Sequence, residues 1–296
     1  MTEPPPHLFD RALYAARIAR ARHAGPDILS RTIAEEFAGR LELISRNFAK
    51  AVVIALDPES IAAVLRDSGK AAEVAVLEPS ADERLPLAAE SLDAVFSILD
   101  LQTINDVPGA LVRMRRALKP DGHFLACLFA GGTLTELRQS WLEAEARLTG
   151  GASPRVAPMI DVRELGSLLQ RAGFALPVAD LDRTIVRYAD AIALIHEIHA
   201  LGLSNVLVGR SRRPVTKALL AEAAAVYRHR FADANGRIRA TVEVAWATAW
   251  APHESQQQPL KPGSAKMRLA DALKTGETKL TPRQRGGAGA IRTSCG

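Results

Sequence analysis

The sequence predicts a three-layer α/β fold, a mainly parallel sheet with helices on both faces. Three observations predict it. Apolar runs of strand length recur at residues 51–56, 74–77, 92–99 and 124–129. Helical patterns separate them, and strands alternating with helices imply parallel pairing. Hydrophobic residues make up 48% of the 296, enough to bury a core on each side of such a sheet.

Taken in order, residues 9–46 read as helical, with Arg11, Arg17, Arg20, Arg22 and Arg31 set among Leu13, Ile18, Ile28, Leu29 and Ile33. Gly25-Pro26-Asp27 breaks this stretch in two. The strand at 51–56 runs into Asp57-Pro58-Glu59, a helix start in which Asp caps, Pro is pre-set for the first helical position and Glu suits the positive helix end. That helix ends near Gly69. A helix at 108–118 stops at the turn Lys119-Pro120-Asp121-Gly122, and 124–129 is the next strand. Residues 131–148 and 161–172 are helices, the second closed by Gly173. Strand-like 176–188, mostly helical 190–230, the turn Asn235-Gly236 and an alternating strand at 238–250 complete the pattern. The expected organisation is an N-terminal helical segment, 1–46, and an α/β domain, 47–260, with a helical insertion at about 190–236 before the last strand. A basic, largely disordered tail, 261–296, follows.

The net charge of +5 belongs to that tail. Residues 261–296 carry eight Lys or Arg and two Asp or Glu, a net of +6, which leaves −1 for the rest. No basic face interleaved with aromatics marks the body, so no nucleic-acid partner is expected. No apolar run reaches the roughly 18 residues of a membrane span. The first residues lack an apolar signal core, and Cys127 and Cys295 give neither a disulfide framework nor metal spacing; a reducing, cytoplasmic setting is the expectation.

In such sheets ligands sit beyond the carboxyl ends of the strands, and there the sequence carries a resemblance. Leu118-Lys119-Pro120-Asp121-Gly122 before a strand is typical of class I S-adenosylmethionine (SAM) methyltransferases. More specific are Phe9-Asp10-Arg11, Asn105-Asp106-Val107-Pro108-Gly109-Ala110-Leu111 and Gly131-Gly132-Thr133-Leu134-Thr135-Glu136-Leu137-Arg138. Gly150-Gly151-Ala152-Ser153-Pro154, Leu168-Leu169-Gln170-Arg171-Ala172-Gly173-Phe174, His253-Glu254-Ser255-Gln256 and Pro262-Gly263-Ser264-Ala265 extend the match over about residues 9–272. Together these resemble the complex I assembly factor 5 family. The resemblance implies a class I SAM methyltransferase-like (Rossmann-like) fold, a part in assembling NADH:ubiquinone oxidoreductase, and modification of an arginine of a complex I subunit. It implies SAM as cofactor and a complex I subunit as partner.

The chain departs from that pattern where the cofactor belongs. Asp57 matches the Asp that ends the family's first strand, but Pro58-Glu59-Ser60 replaces its glycine-rich loop, and no glycine lies between Gly39 and Gly69. Those glycines let the backbone approach the ligand. Pro58 removes a donor, and Glu59 would set a carboxylate against that of SAM. Only 19 residues, 66–84, separate Leu65 from Leu85, where a βαβ unit takes roughly 30. If the strand at 74–77 is the family's second, Glu78 matches the acid that holds the ribose. If it is the third, Asp82 and Glu83 match a stretch near adenine. Gln102 and Thr103 stand where relatives have His and Trp.

The candidate cofactor residues are therefore Asp57, Glu78, Asp82 and Glu83, with Asp57 and Glu59 also readable as a helix cap and first-turn acid. His196 and His199 lack the spacing of a metal site. His253-Glu254-Ser255 reads better as a partner-contacting clamp than as a catalytic group. Arg210, Arg212 and Arg213 read as a solvated loop, Cys127 as an inert core thiol, and Trp141, Trp246 and Trp250 as core or interface aromatics. Two functional classes follow: a SAM-dependent transferase or arginine hydroxylase, and a non-catalytic assembly factor.

Overall fold

Alternation along the strands decides the layers. In β1 (Phe48–Ala55) and β3 (Leu92–Ile98), Val53, Ala55, Phe96 and Ile98 enter one core, while Val52, Ile54 and Val95 enter another. Both faces are buried, as in sheets that helices cover on each side. The computed structural model describes residues 7–21, 28–257 and 271. The chain divides into two units, Met1–Glu254 and Ser255–Gly296, and the architecture is that of the first. The expected tail lies almost wholly outside the described residues.

The first core is closed by α1 (Arg11–Ala21), α2 (Ile28–Glu42) and α3 (Pro58–Asp67), which bring Tyr14, Ile33, Phe37, Leu41, Ile61 and Leu65 onto the sheet. The second is closed by α4 (Val107–Ala117) and α6 (Val162–Arg171), through Leu111, Met114, Leu165 and Leu169. A third cluster joins α5 (Thr135–Thr149), α7 (Ala191–Ala200) and α8 (Lys217–Phe231). It packs on the start of the last strand, β6 (Ile238–Trp250), through Ile238 and Ala240.

With β2 (Ala71–Leu77), β4 (Leu118–Phe129) and β5 (Ala175–Tyr188), the strand order is β2-β1-β3-β4-β6-β5. β2, β1, β3 and β4 are parallel; β6 runs antiparallel between β4 and β5. The helical insertion, α7 and α8, precedes β6 as expected. β2 pairs with β1 directly, the place of the second strand in a doubly wound sheet. Residues 78–91 then return without a helix or strand of their own. The shortening between Leu65 and Leu85 has therefore removed the next strand and its helix, which leaves Glu78 at the end of a second-type strand.

One expectation is corrected. Lys119-Pro120-Asp121-Gly122 is not a turn ahead of its strand but an irregularity inside β4, where the register with β3 jumps from Leu92↔Leu118 to Ala94↔His123. Asp121 takes a left-handed φ of 62°, and a Cβ on Gly122 would lie 2.9 Å from the Lys119 carbonyl. The stretch at 190–230 is mostly helical as expected, over Ala191–Ala200 and Lys217–Phe231. Residues 203–208 lie along the N-terminal segment, with Asp10 N donating to Val206 O at 2.8 Å and Val208 N to Leu8 O at 2.9 Å.

His123 is buried between Phe48, Phe96 and Trp250, its ring 4.6 Å from that of Trp250 and its Nε2 2.9 Å from Thr248 Oγ1. Burial, with Arg46 adding a smaller effect, lowers its pKa to about 4. The unfolded chain therefore takes up a proton near pH 6.5 that the folded one refuses. Stability is fully present above pH 6.5 and falls as pH drops towards 4, by about 3 kcal/mol from this group. Denaturant unfolding of the parent and of His123→Phe from pH 7 to 4 should show this loss only in the parent, and parallel curves would refute it.

Candidate functional site

The carboxyl end of β1 is closed by its own chain. Leu56 N donates to Ile98 O at 2.9 Å, and Asp57 caps α3, accepting from Ser60 N at 3.4 Å and from the Ser60 hydroxyl at 2.6 Å. Pro58 is buried. Glu59 does not face the strand ends as expected; its side chain is 73% exposed and lies 3.5 Å from Arg66, two turns along the same face of α3.

Of the four candidate cofactor residues, Asp57 and Glu78 lie at the ends of the paired strands β1 and β2, where Ile54 pairs with Leu77. Glu78 is exposed at the end of β2. Asp82 is exposed and accepts from Arg84 N at 3.2 Å, a bond that heads the causes lowering its pKa. Glu83, at φ 55°, accepts from Asn105 N at 3.0 Å, from Asn105 Nδ2 at 2.6 Å and from Asp106 N at 3.4 Å. Asn105 in turn exchanges two bonds with the backbone of Phe9, at 2.8 and 3.1 Å. Glu83 thus ties residues 78–91 to the N-terminal segment. With no glycine between Gly39 and Gly69, Asp57 capping its own helix and Glu83 bound to Asn105, these residues do not fit SAM at this strand end.

Sequence reasoning missed what lies at the carboxyl end of β3. Arg11 is buried there. It donates to Asp100 Oδ1 at 3.1 Å and to Thr103 Oγ1 at 2.6 Å, with side-chain exposures of 3% and 2% for the ion pair. Burial raises the pKa of Asp100, and Arg11 opposes that rise. Tyr14 lies 4.8 Å beneath the guanidinium, Gln102 Nε2 donates to Leu99 O at 2.8 Å, and Gln102 Oε1 is buried without a partner. The Arg11 of Phe9-Asp10-Arg11 was the available signal.

Beside this cluster opens a cavity of about 870 Å³, walled by α1, α2, α7, the inner faces of β5 and β6 and the segment at 155–159. Gln102, Thr103, Tyr14 and Trp246 line it; Asp57, Glu78, Asp82 and Glu83 do not. Its volume suits a small-molecule site, for which roughly 300–1,000 Å³ is usual.

A methyltransferase-domain family matches residues 37–126. The zebrafish (Danio rerio) protein named arginine-hydroxylase NDUFAF5, mitochondrial, is 34% identical over 235 residues, 79% of this chain and 73% of that one. Its human counterpart is 34% identical over 282 residues, 88% of this chain and 81% of the other. The chain belongs to the NDUFAF5 arginine-hydroxylase family. A malonyl-[acyl-carrier protein] O-methyltransferase of Laribacter hongkongensis is 35% identical over 181 residues, covering 61% of this chain and 58% of that protein.

Several stretches that carry the family resemblance serve as internal brackets. Gly132 N donates to Glu243 Oε2 at 2.7 Å, and a Cβ on Gly132 would lie 2.4 Å from that carboxylate. Buried Glu136 accepts from Thr241 N at 3.1 Å and from the Thr241 hydroxyl at 2.6 Å. Glu145 accepts from Ser153 N at 2.6 Å and from Arg155 Nε at 2.8 Å; burial alone would raise its pKa, but these donors hold it below the usual value. Arg210 is not merely solvated, since it lies 3.1 Å from Asp10. His196 and His199 are exposed, and no group of three metal-binding side chains occurs among the described residues. Cys127 is buried with its pKa pushed up by burial. Trp246 and Trp141 are buried as expected.

Removing one partner of the buried pair should be costly. Arg11→Met is expected to lower unfolding stability by about 3–5 kcal/mol, because it strands Asp100. Arg11→Met with Asp100→Leu should recover most of that, as read by urea denaturation. A double variant no more stable than the single one would contradict this account.

Proposed function

We propose that this chain serves the maturation of respiratory complex I as a methyltransferase-like scaffold that engages one of its subunits, without SAM. The observation that supports this reading is the self-capped end of β1, set within a chain that keeps a methyltransferase-like sheet. At the opening of α3, the natural seat for a ligand's anion, Ser60 N–H is met by the Asp57 side chain and Pro58 has no N–H.

The partner surface proposed is the exposed clamp at His253 and Glu254; Gln256 lies just beyond the boundary of the first unit. No helix among the described residues is long and apolar enough to cross a membrane. The reading places the protein in the cytoplasm, which the buried thiol of Cys127 suits; the zebrafish and human relatives carry mitochondrial names. A second reading, arginine modification with SAM, draws on the names of those relatives, and Asp57, Glu78, Asp82 and Glu83 are the residues it would have to use.

Calorimetric titration with SAM separates the two. No saturable heat is expected up to millimolar ligand, whereas micromolar affinity, about −8 kcal/mol, would favour the second. Tagged parent protein should co-purify a complex I subunit, and Glu254→Ala with Gln256→Ala should reduce its recovery at least several-fold without lowering Tm. Recovery equal to the parent's would remove the clamp, and no subunit at all would remove the reading.

A further inference from the structure

The cavity is unlike a site for a nucleotide or a peptide main chain, because many of its polar side chains are already bonded to the protein itself. The Thr133 hydroxyl donates to Glu243 O at 2.8 Å and accepts from Glu243 N at 3.0 Å. The Asn205 side chain serves Pro154 O and Leu207 N, at 2.8 and 3.0 Å. Arg155 is held by Glu145 at 2.6 Å. Asp182 lies 3.4 Å from Arg40, and Tyr188 bonds to Glu197. Gln102 Oε1 is the only buried side-chain atom of the described lining residues without a partner. A peptide entering here would bury several N–H and C=O groups with nothing to meet them, each a substantial loss.

A hydrocarbon chain has no such demand. Trp246, Phe129, Val242, Val244, Leu203 and Met159 offer it apolar contact. Besides Arg187, two exposed cations lie where the lining reaches solvent: Arg183, 3.7 Å from Glu243, and Arg237. Arg237 is exposed, donates through Nη2 to Arg187 O at 2.6 Å, and has no carboxylate partner among the described residues. Its neighbour Arg187 is neutralised by Asp233 at 2.6 Å. Glu36, also on the lining, is exposed on α2 and belongs to a different wall.

We propose that this cavity binds the single hydrocarbon chain of a fatty-acid-type amphiphile, with the carboxylate at Arg237 and the chain against Trp246 and Phe129. An apolar pocket with one placed charge at its edge is the usual composition of a small-molecule site. The enclosed length sets chain-length preference, and Arg237 sets preference for an acid over an alcohol. This inference is independent of the complex I reading, and either can fail alone.

Displacement of a fluorescent polyene fatty acid, cis-parinaric acid, from the full chain tests it. Saturated acids of increasing length should displace the probe, with affinity rising roughly tenfold for every two methylenes until the cavity is full. Arg237→Gln should weaken the acids several-fold and leave alcohols of equal length unchanged. Thr184→Trp, an exposed position on β5 that lines the cavity, should weaken acids and alcohols alike at least tenfold with an unaltered circular dichroism spectrum. The proposal is overturned by no saturable probe binding, by binding indifferent to Thr184→Trp, or by equal effects of Arg237→Gln on acids and alcohols. Displacement of the probe by an arginine-bearing peptide where the acids fail would likewise overturn it and give the cavity to a protein partner.

Discussion

Burial of the Arg11 guanidinium against Asp100 is the interaction on which the arrangement of this protein depends. Two ions removed from water cost several kcal/mol each unless geometry and further hydrogen bonds offset the loss. Here Thr103 supplies one such bond and the Tyr14 ring lies under the charge. The pair can form only with α1 laid across the carboxyl edge of β3. That placement carries Phe9 to Asn105, and Asn105 to Glu83, so the shortened segment 78–91 is anchored to the N-terminal residues. It also brings Asp10 to Arg210 and to the backbone of Val206, fixing the insertion. Residues separated by about two-thirds of the chain meet around one buried charge.

A second consequence lies at the start of α3. A glycine loop leaves the first N–H groups of the following helix open to an anion and lets the backbone come close. In this chain Asp57 accepts from the third residue of the turn, and Pro58 has no N–H to give. A carboxylate arriving from solvent would compete with an intramolecular one already in place and would meet its like charge. The helix is better capped, and the strand end is correspondingly poorer in donors.

What the sequence made legible follows from periodicity. The strands at 51–56 and 92–99 are continuous apolar runs that meet a core on each face, and the helices at 108–118 and 161–172 each turn an apolar face to one core, so pattern alone located them. The cap at Asp57 was legible too, because its chemistry is local. Lys119-Pro120-Asp121-Gly122 was misread because turn residues also build bulges, and only the partner strand reveals which. The cavity was not legible at all. Its walls come from helices, strands and a loop that are distant in sequence, and nothing local marks Tyr14, Gln102, Met159 and Trp246 as neighbours. The partners of Glu83 and Glu136 were hidden for the same reason.

The brackets around α5 explain why such a cavity persists. Protein interiors close-pack, and an apolar void relaxes inward wherever its walls can move. These walls are held from outside the void. Gly132 and Thr133 are fixed to Glu243, Glu136 to Thr241, and Glu145 to both Ser153 and Arg155. Thr133, Leu134, Leu137, Arg155 and Val156 consequently face the space as rigid lining. The motifs that carry the family resemblance in this region therefore act on the cavity through stiffness: their bonds hold its walls apart from outside the space.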